Sequence, residues 1–233
     1  MILKKSLMKA RKLKNIKKIL SIAGSDCSCG AGIQADIKTI QSLGGYCLTV
    51  LTNVTAQNSK RVFKISNISN NLISAQINCL LHDYDIDAIK IGLVTNIKTA
   101  KILKKYFLKV KIPIIIDPIF NSTTGFKFSS RKDYLKIQTK LMTFSNLIIP
   151  SVLEAEILLK SKIKTETDMI KASKLIFKKF DINVLIKGNE LKRKKIVDIC
   201  LFNNKVYKFK NRRIFCSDKH GTGCTYSTAV TFF

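Results

Sequence analysis

The sequence predicts an α/β fold, a mostly parallel sheet with helices on both faces, and three observations predict it. Short, continuously apolar runs recur along the 233 residues, as strands buried on both faces require. Stretches with apolar residues at helical spacing separate those runs. Polar residues gather just after the runs end, at Ser25, Asp26, Gln57, Asp117 and Lys187. In an open α/β sheet that edge is where ligands bind.

The elements follow in order from Lys18. Residues 19–23 form a strand that meets a loop at Gly24-Ser25-Asp26. A helix over 32–43 carries Ile33, Ile37, Ile40 and Leu43 on one stripe, and Gly44-Gly45 stops it. A strand over 46–54, a helix over 72–81, a strand over 88–92 and a helix over 98–107 come next. The unbroken apolar run 112–116 ends in Asp117-Pro118, and 147–150 repeats that theme. Thr165 and Asp168 have the spacing of a helix cap, and the strand 183–186 ends in Lys187-Gly188. Late in the chain, 196–202 and 206–210 flank Asn203-Asn204 and read as a hairpin. No internal repeat or linker interrupts the pattern, so one domain is expected over 18–233.

Composition narrows the class. A hydrophobic content of 46% with only three Pro is that of a folded globule. No run approaches the roughly 18 apolar residues of a membrane span. The seven Cys are scattered, and with two His they form no convincing metal-ligand spacing. That Cys usage predicts a reducing, cytoplasmic setting, and Cys27-x-Cys29 reads as two small loop residues. The net charge of +27 comes mostly from Lys; only Arg11, Arg61, Arg131, Arg193, Arg212 and Arg213 are Arg. Nucleic-acid readers lean on Arg forks and interleaved aromatics, whereas here Lys is spread among abundant Ile and Asn. A coding sequence drifting toward A and T gives that mixture without a partner. Neither a specific nucleic-acid partner nor a membrane partner is expected. The basic stretch 1–17 holds no acid and no apolar core for an export signal, and is read as a frayed extension.

The most informative segment is His220-Gly221-Thr222-Gly223-Cys224-Thr225. Two glycines permit a tight turn, and the small, apolar run after it opens a helix. Unpaired N–H groups and the positive end of the helix dipole then converge on one spot, which suits a phosphoryl group. A thiol at Cys224 within that field is expected to be lowered toward thiolate. Each of these residues also has a plain reading. Cys224 can fill the helix start, Gln57 can be a solvated turn residue and Asp36 an exposed helix charge. Asp117 can cap the turn with Pro118, and Lys187 is one lysine among many.

Motifs in register from about Ile19 to Ala229 tie the segment to a family. They are Ile22-Ala23-Gly24-Ser25-Asp26, Gly30-Ala31-Gly32-Ile33-Gln34-Ala35-Asp36, Thr55-Ala56-Gln57-Asn58 and Lys90-Ile91-Gly92. Asp117-Pro118, Pro150 with Glu154-Ala155, Lys187-Gly188 and residues 220–225 follow in order. In them the chain resembles hydroxymethylpyrimidine/phosphomethylpyrimidine kinase, the thiamin-pathway member of the ribokinase-like kinases. The resemblance implies a three-layer α/β/α sandwich, phosphorylation of a hydroxymethyl pyrimidine and of its monophosphate by ATP with Mg²⁺, and a homodimer. It implies that Gln57 and Asp36 contact the pyrimidine, with the backbone near Gly24 and Thr55. Gly221, Thr222 and Gly223 would hold the transferring phosphoryl group and Cys224 would take the hydroxyl proton. Lys187 would neutralise ATP phosphates, and Glu154 and Asp117 would hold Mg²⁺ through water. A related B6-vitamer kinase and a decayed pyrimidine-binding remnant are the alternatives.

Departures from the family pattern carry expectations too. Cys27 replaces a Pro and Cys29 a Gly in the glycine-rich loop, which puts a Cβ where glycine allows φ > 0. Ser151 replaces an Asn three residues before Glu154, Phe126 an acidic residue, and Asn189-Glu190 a Gly-His pair. The chain is expected to stop before the family's last helices, leaving Val230, Phe232 and Phe233 uncovered.

Overall fold

A computed structural model describes residues 16–191, 195–214 and 220–233; most of the basic 1–17 stretch lies outside them. The apolar runs become strands β1 (Lys18–Asp26), β2 (Tyr46–Gln57), β4 (Ala88–Ile91), β5 (Ile114–Ile116), β6 (Leu147–Ile148) and β7 (Asn183–Ile186), all parallel. Antiparallel strands finish both edges: β3 (Val62–Asn67) beside β2, then β8 (Lys195–Phe202) and β9 (Lys205–Arg212) beyond β7. Asn203 and Asn204 turn the β8–β9 hairpin with φ of 48° and 60°, the left-handed pair that matches strand twist.

Seven helices cover the sheet among the described residues. They are α1 (Gly32–Ser42), α2 (Asn70–Asp83), α3 (Ile97–Phe107), α4 (Arg131–Met142), α5 (Val152–Leu159), α6 (Glu166–Phe180) and α7 (Thr222–Phe232). Alternation along the strands sorts their packing. Leu20, Ile22, Ile89, Ile91, Ile114 and Ile116 point to the main core with α2 to α6. Ile19, Ala88, Ile115, Ile149 and Leu185 point the other way, to smaller clusters built on α1 and α7. The expected two-faced cover is present, with five helices on one side and two on the other. Phe233 is 86% exposed, whereas Phe232 packs against Ile19, Ile40 and Ala88.

Three elements escaped the sequence reading for physical reasons. β3 is an exposed edge strand with one buried residue, so it lacks an apolar face. α4 is rich in Lys and polar residues, and α5 is apolar nearly all round, so neither shows a clean helical stripe. The run at 112–116 shortens to three residues because Pro113 has no N–H to give a ladder. The cap at Thr165 is as expected: its hydroxyl accepts from the Asp168 amide, and Asp168 accepts from the Thr165 amide.

The α1/α7 face carries a buried ion pair. Lys90 Nζ donates to Asp36 Oδ1 at 2.6 Å, with both side chains fully buried. Thr228 of α7 donates to the same oxygen at 2.6 Å, and Ser21 of β1 donates to Oδ2 at 2.5 Å. Burial opposes the charge on Lys90, but Asp36 and neighbouring Cys224 and Asp117 outweigh it and hold the amine above the ordinary lysine range. Breaking such a pair strands a buried charge. Lys90→Met should cost about 3–5 kcal/mol in urea unfolding, and adding Asp36→Leu should restore most of it.

Candidate active site

The strand order reverses at β1, whose neighbours β2 and β4 come from opposite directions along the chain. A cavity of about 450 Å³ opens there, beyond the carboxyl ends of the strands. The loop after β1, the end of β2, the turns after β5 and β7, and the turn that opens α7 all line it. Gly24, Thr55, Gln57, Asp117, Glu154, Lys187 and Gly221 to Cys224 therefore meet at one place. Asp36 does not. It falls on the sheet-facing side of α1 with Ile33 and Ile40, where Lys90, Ser21 and Thr228 supply its donors. The expected pyrimidine contact is corrected to an anchor beneath the site.

At one end of the cavity, Asn53, Thr55 and Gln57 project from alternate positions of β2. The Thr55 hydroxyl donates to the Ser25 carbonyl at 2.8 Å. Among the described residues nothing pairs with the side-chain carboxamide of Gln57, which leaves a donor and an acceptor for a ligand. Asn53 was not singled out by its sequence. Its Nδ2 donates to Thr52 Oγ1 at 3.0 Å, and its carbonyl end packs over Gly24, where a side chain would collide with it. The left-handed conformation suspected at Cys29 is present, with φ 59°, and costs about 1–2 kcal/mol for a residue with a Cβ.

At the other end, Gly221 is the N-cap of α7 with φ 77°, and the helix start has no side-chain cap. Gly221 to Cys224 line the cavity, so the positive end of the α7 dipole faces it. Cys224 is buried one turn in. The lowered thiol expected from the dipole is corrected: burial pushes Cys224 up from 9.0 to about 11, against Lys90 and a hydrogen bond from the Gly32 amide. A helix terminus supplies roughly 0.3–1 kcal/mol, less than one pKa unit, so desolvation wins.

Between the two ends lie the charged groups. Lys187 Nζ donates to Asp117 Oδ1 at 3.0 Å with 15% of its side chain exposed, so it is not a solvated surface lysine. Burial opposes its charge, but Asp117 and Glu154 hold it above the ordinary range. Asp117 Oδ2 accepts from Ser227 of α7 at 2.9 Å. Glu154 forms a capping box with Ser151, its Oε2 accepting from the Ser151 amide at 2.7 Å, and its Oε1 accepts from the Phe120 amide at 3.1 Å. Burial raises Glu154 to about 7, only partly offset by Lys187. Ser151 in place of Asn thus serves as the helix cap, and Glu190 beside it accepts from the Leu153 amide at 2.7 Å.

An anion turn, a buried cation and a ring-sized polar recess in one cavity of a parallel α/β sheet define a small-molecule phosphotransferase. The sequence matches the family described as phosphomethylpyrimidine kinase over residues 26–233. The hydroxymethylpyrimidine/phosphomethylpyrimidine kinase of Aquifex aeolicus is 33% identical over 91% of this chain and 83% of its own length. The crystal structure of phosphomethylpyrimidine kinase from Clostridium difficile 630 is 32% identical, with a TM-score of 0.78 over 93% of this chain and 89% of that one. An ADP complex of Bacillus subtilis pyridoxal kinase is also 32% identical, with a TM-score of 0.81 over 94% and 83%. The chain belongs to the phosphomethylpyrimidine kinase family and has its ribokinase-like fold.

One residue of the site makes a prediction for stability. Asp26 is 1% exposed. Burial opposes its charge, but hydrogen bonds from Ser28, His220 and Ala31 outweigh it and lower the carboxyl from 3.8 to about 2. A depressed folded-state pKa gives stability that is present above the unfolded value and lost as the pH falls through the folded one. Wild-type stability should therefore fall between about pH 4 and pH 2. Asp26→Asn should be less stable at neutral pH and show a shallower dependence in that window, measured by urea midpoints across pH.

Proposed function

We propose that the chain transfers the γ-phosphoryl group of ATP to the hydroxymethyl group of 4-amino-5-hydroxymethyl-2-methylpyrimidine, and then phosphorylates the monophosphate to the diphosphate used in thiamin biosynthesis. The observation that carries this is the cavity with a free amide at one end and an anion turn beside a thiol at the other. A pyrimidine edge with ring nitrogens and an exocyclic amine needs a donor and an acceptor side by side, and Gln57 supplies both. Gly24 and Thr55 shape the recess around the ring.

Phosphoryl transfer is chiefly positioning and charge neutralisation. The amides at Gly221, Thr222 and Gly223 hold the transferring group. Lys187, whose amine lies 3.7 Å from where a Cβ on Gly223 would be, balances charge on the ATP phosphates; the ADP complex of the pyridoxal kinase relative supports nucleotide binding in this fold. Cys224 takes the hydroxyl proton as its thiolate. Its thiol is protonated in the free chain at neutral pH, so the rate should climb as the pH rises from 7 toward about 11, the value to which burial moves it.

Mg²⁺ fits these residues only at a distance. Both oxygens of Asp117 and both of Glu154 already accept a hydrogen bond or ion pair. Among the described residues no three His, Cys, Asp or Glu form a cage. A hard cation that keeps its waters suits two such carboxylates, and when bound it would neutralise phosphate charge. A B6 vitamer is the second reading, favoured by the likeness to pyridoxal kinase. Parallel assays with ATP separate the two, and phosphorylation of pyridoxal but not of the hydroxymethylpyrimidine would overturn the first.

Two substitutions test the roles. Cys224→Ala should lower kcat by about 10²–10⁴-fold while pyrimidine binding by calorimetry stays near wild type; near-normal turnover would remove the thiol from the reaction. Gln57→Ala should raise KM by roughly 10-fold, about one lost hydrogen bond to a ligand, with kcat largely kept.

A further inference from the structure

Two loops 194 residues apart in the chain meet at one carboxylate. Asp26 closes β1, and its Oδ1 accepts from the Ser28 amide at 2.8 Å and the Ser28 hydroxyl at 2.7 Å. Its Oδ2 accepts from the amides of Gly30 at 3.1 Å and Ala31 at 2.8 Å. The remaining contact is His220 Nε2, 2.7 Å from Oδ2. Four of the five thus shape the glycine-rich loop on the substrate side, and the fifth reaches the residue that precedes the anion turn. The pair is shielded from water, with side chains 1% and 10% exposed.

The backbones interlock at the same place. A Cβ on Gly30 would run into the His220 ring, and a Cβ on Gly221 would run into the Gly30 carbonyl. The start of α7 has no side-chain cap of its own, so the anion turn takes its placement from outside the helix. His220 is the side chain that ties it to the opposite loop.

We propose that His220, held by Asp26, is a positioning residue for phosphoryl transfer. It sets the Gly221–Gly223 turn against the glycine-rich loop, so that a phosphoryl group on the turn and a hydroxyl in the recess meet at reacting distance. It also covers the Asp26 carboxylate, which without it would face the incoming phosphate across the cavity that both residues line. The inference rests on the kinase reading above and adds to it a residue that acts through the turn.

The test compares His220→Ala, His220→Phe and His220→Gln. Phe keeps a ring over Gly30 without a donor, and Gln restores an Nε2 donor toward Asp26. Ala and Phe should each lower kcat by roughly 10²-fold, the scale of a misplacement of about 1 Å, with pyrimidine affinity in the absence of nucleotide changed less than about threefold. Gln should recover most of the loss. A second measurement reads the turn itself: affinity for a non-hydrolysable ATP analogue, measured without any acceptor, should fall at least about 10-fold in Ala and Phe but not in Gln. Wild-type kcat in His220→Phe, a Gln variant as impaired as Ala, or unchanged analogue affinity would each overturn the proposal. If the wild-type chain phosphorylates no aminopyrimidine, the kinase assignment fails, and the analogue arm still decides the role of His220.

Discussion

The carboxylate of Asp36 is the point on which the site depends. A charge without exposure must be paired and hydrogen-bonded or it costs several kcal/mol. Asp36 meets that demand by drawing together Lys90 from β4, Ser21 from β1 and Thr228 from α7. Thr228 ties α7 to this part of the sheet with a 2.6 Å bond. Its companion, Ser227 to Asp117 at 2.9 Å, anchors the same turn of helix to the end of β5. The two bonds fix the height and rotation of the body of α7, and with them the depth at which the Cys224 thiol lies.

The cavity above this anchor is a balance of opposed charges rather than a basic funnel. Lys90 is matched by Asp36 and Lys187 by Asp117, and Glu154 is raised to about 7 beside them. The chain's +27 therefore says little about the site, because the two lysines that matter there are paired, Lys90 fully buried and Lys187 half-buried. Paired charges at a dry surface are costly to rearrange, which favours a site built before substrate arrives. Cys224 follows the same logic: burial favours the protonated thiol, so the thiolate that can accept a proton is the minority form at neutral pH.

Much of this was legible in the residues. Strand order along the chain, the cap at Thr165, the Asn203-Asn204 turn and the motifs that mark the family all follow local rules of periodicity and turn chemistry. So do the places where strands end in polar residues, which is why Gln57, Asp117, Lys187 and Gly221 were recognised and do meet in one cavity. The unread elements were those with no contrast in polarity: β3 at an exposed edge, α4 with too few apolar residues and α5 with too many.

What the sequence alone determined was the fold class, the family and the edge of the sheet where the site lies, because each depends on short-range pattern. The tertiary structure decided which way each functional side chain faces and how dry its surroundings are. A helix position such as Asp36 can face solvent, ligand or core, and only the packing of α1 against β1, β4 and α7 turned it toward Lys90. The thiol of Cys224 moved in the opposite direction from the helix-dipole expectation because burial, a long-range property, outweighs a dipole that acts over one turn. The contact of Asp26 with His220 joins residues that share no local pattern, and it exists only once the two ends of the chain lie side by side.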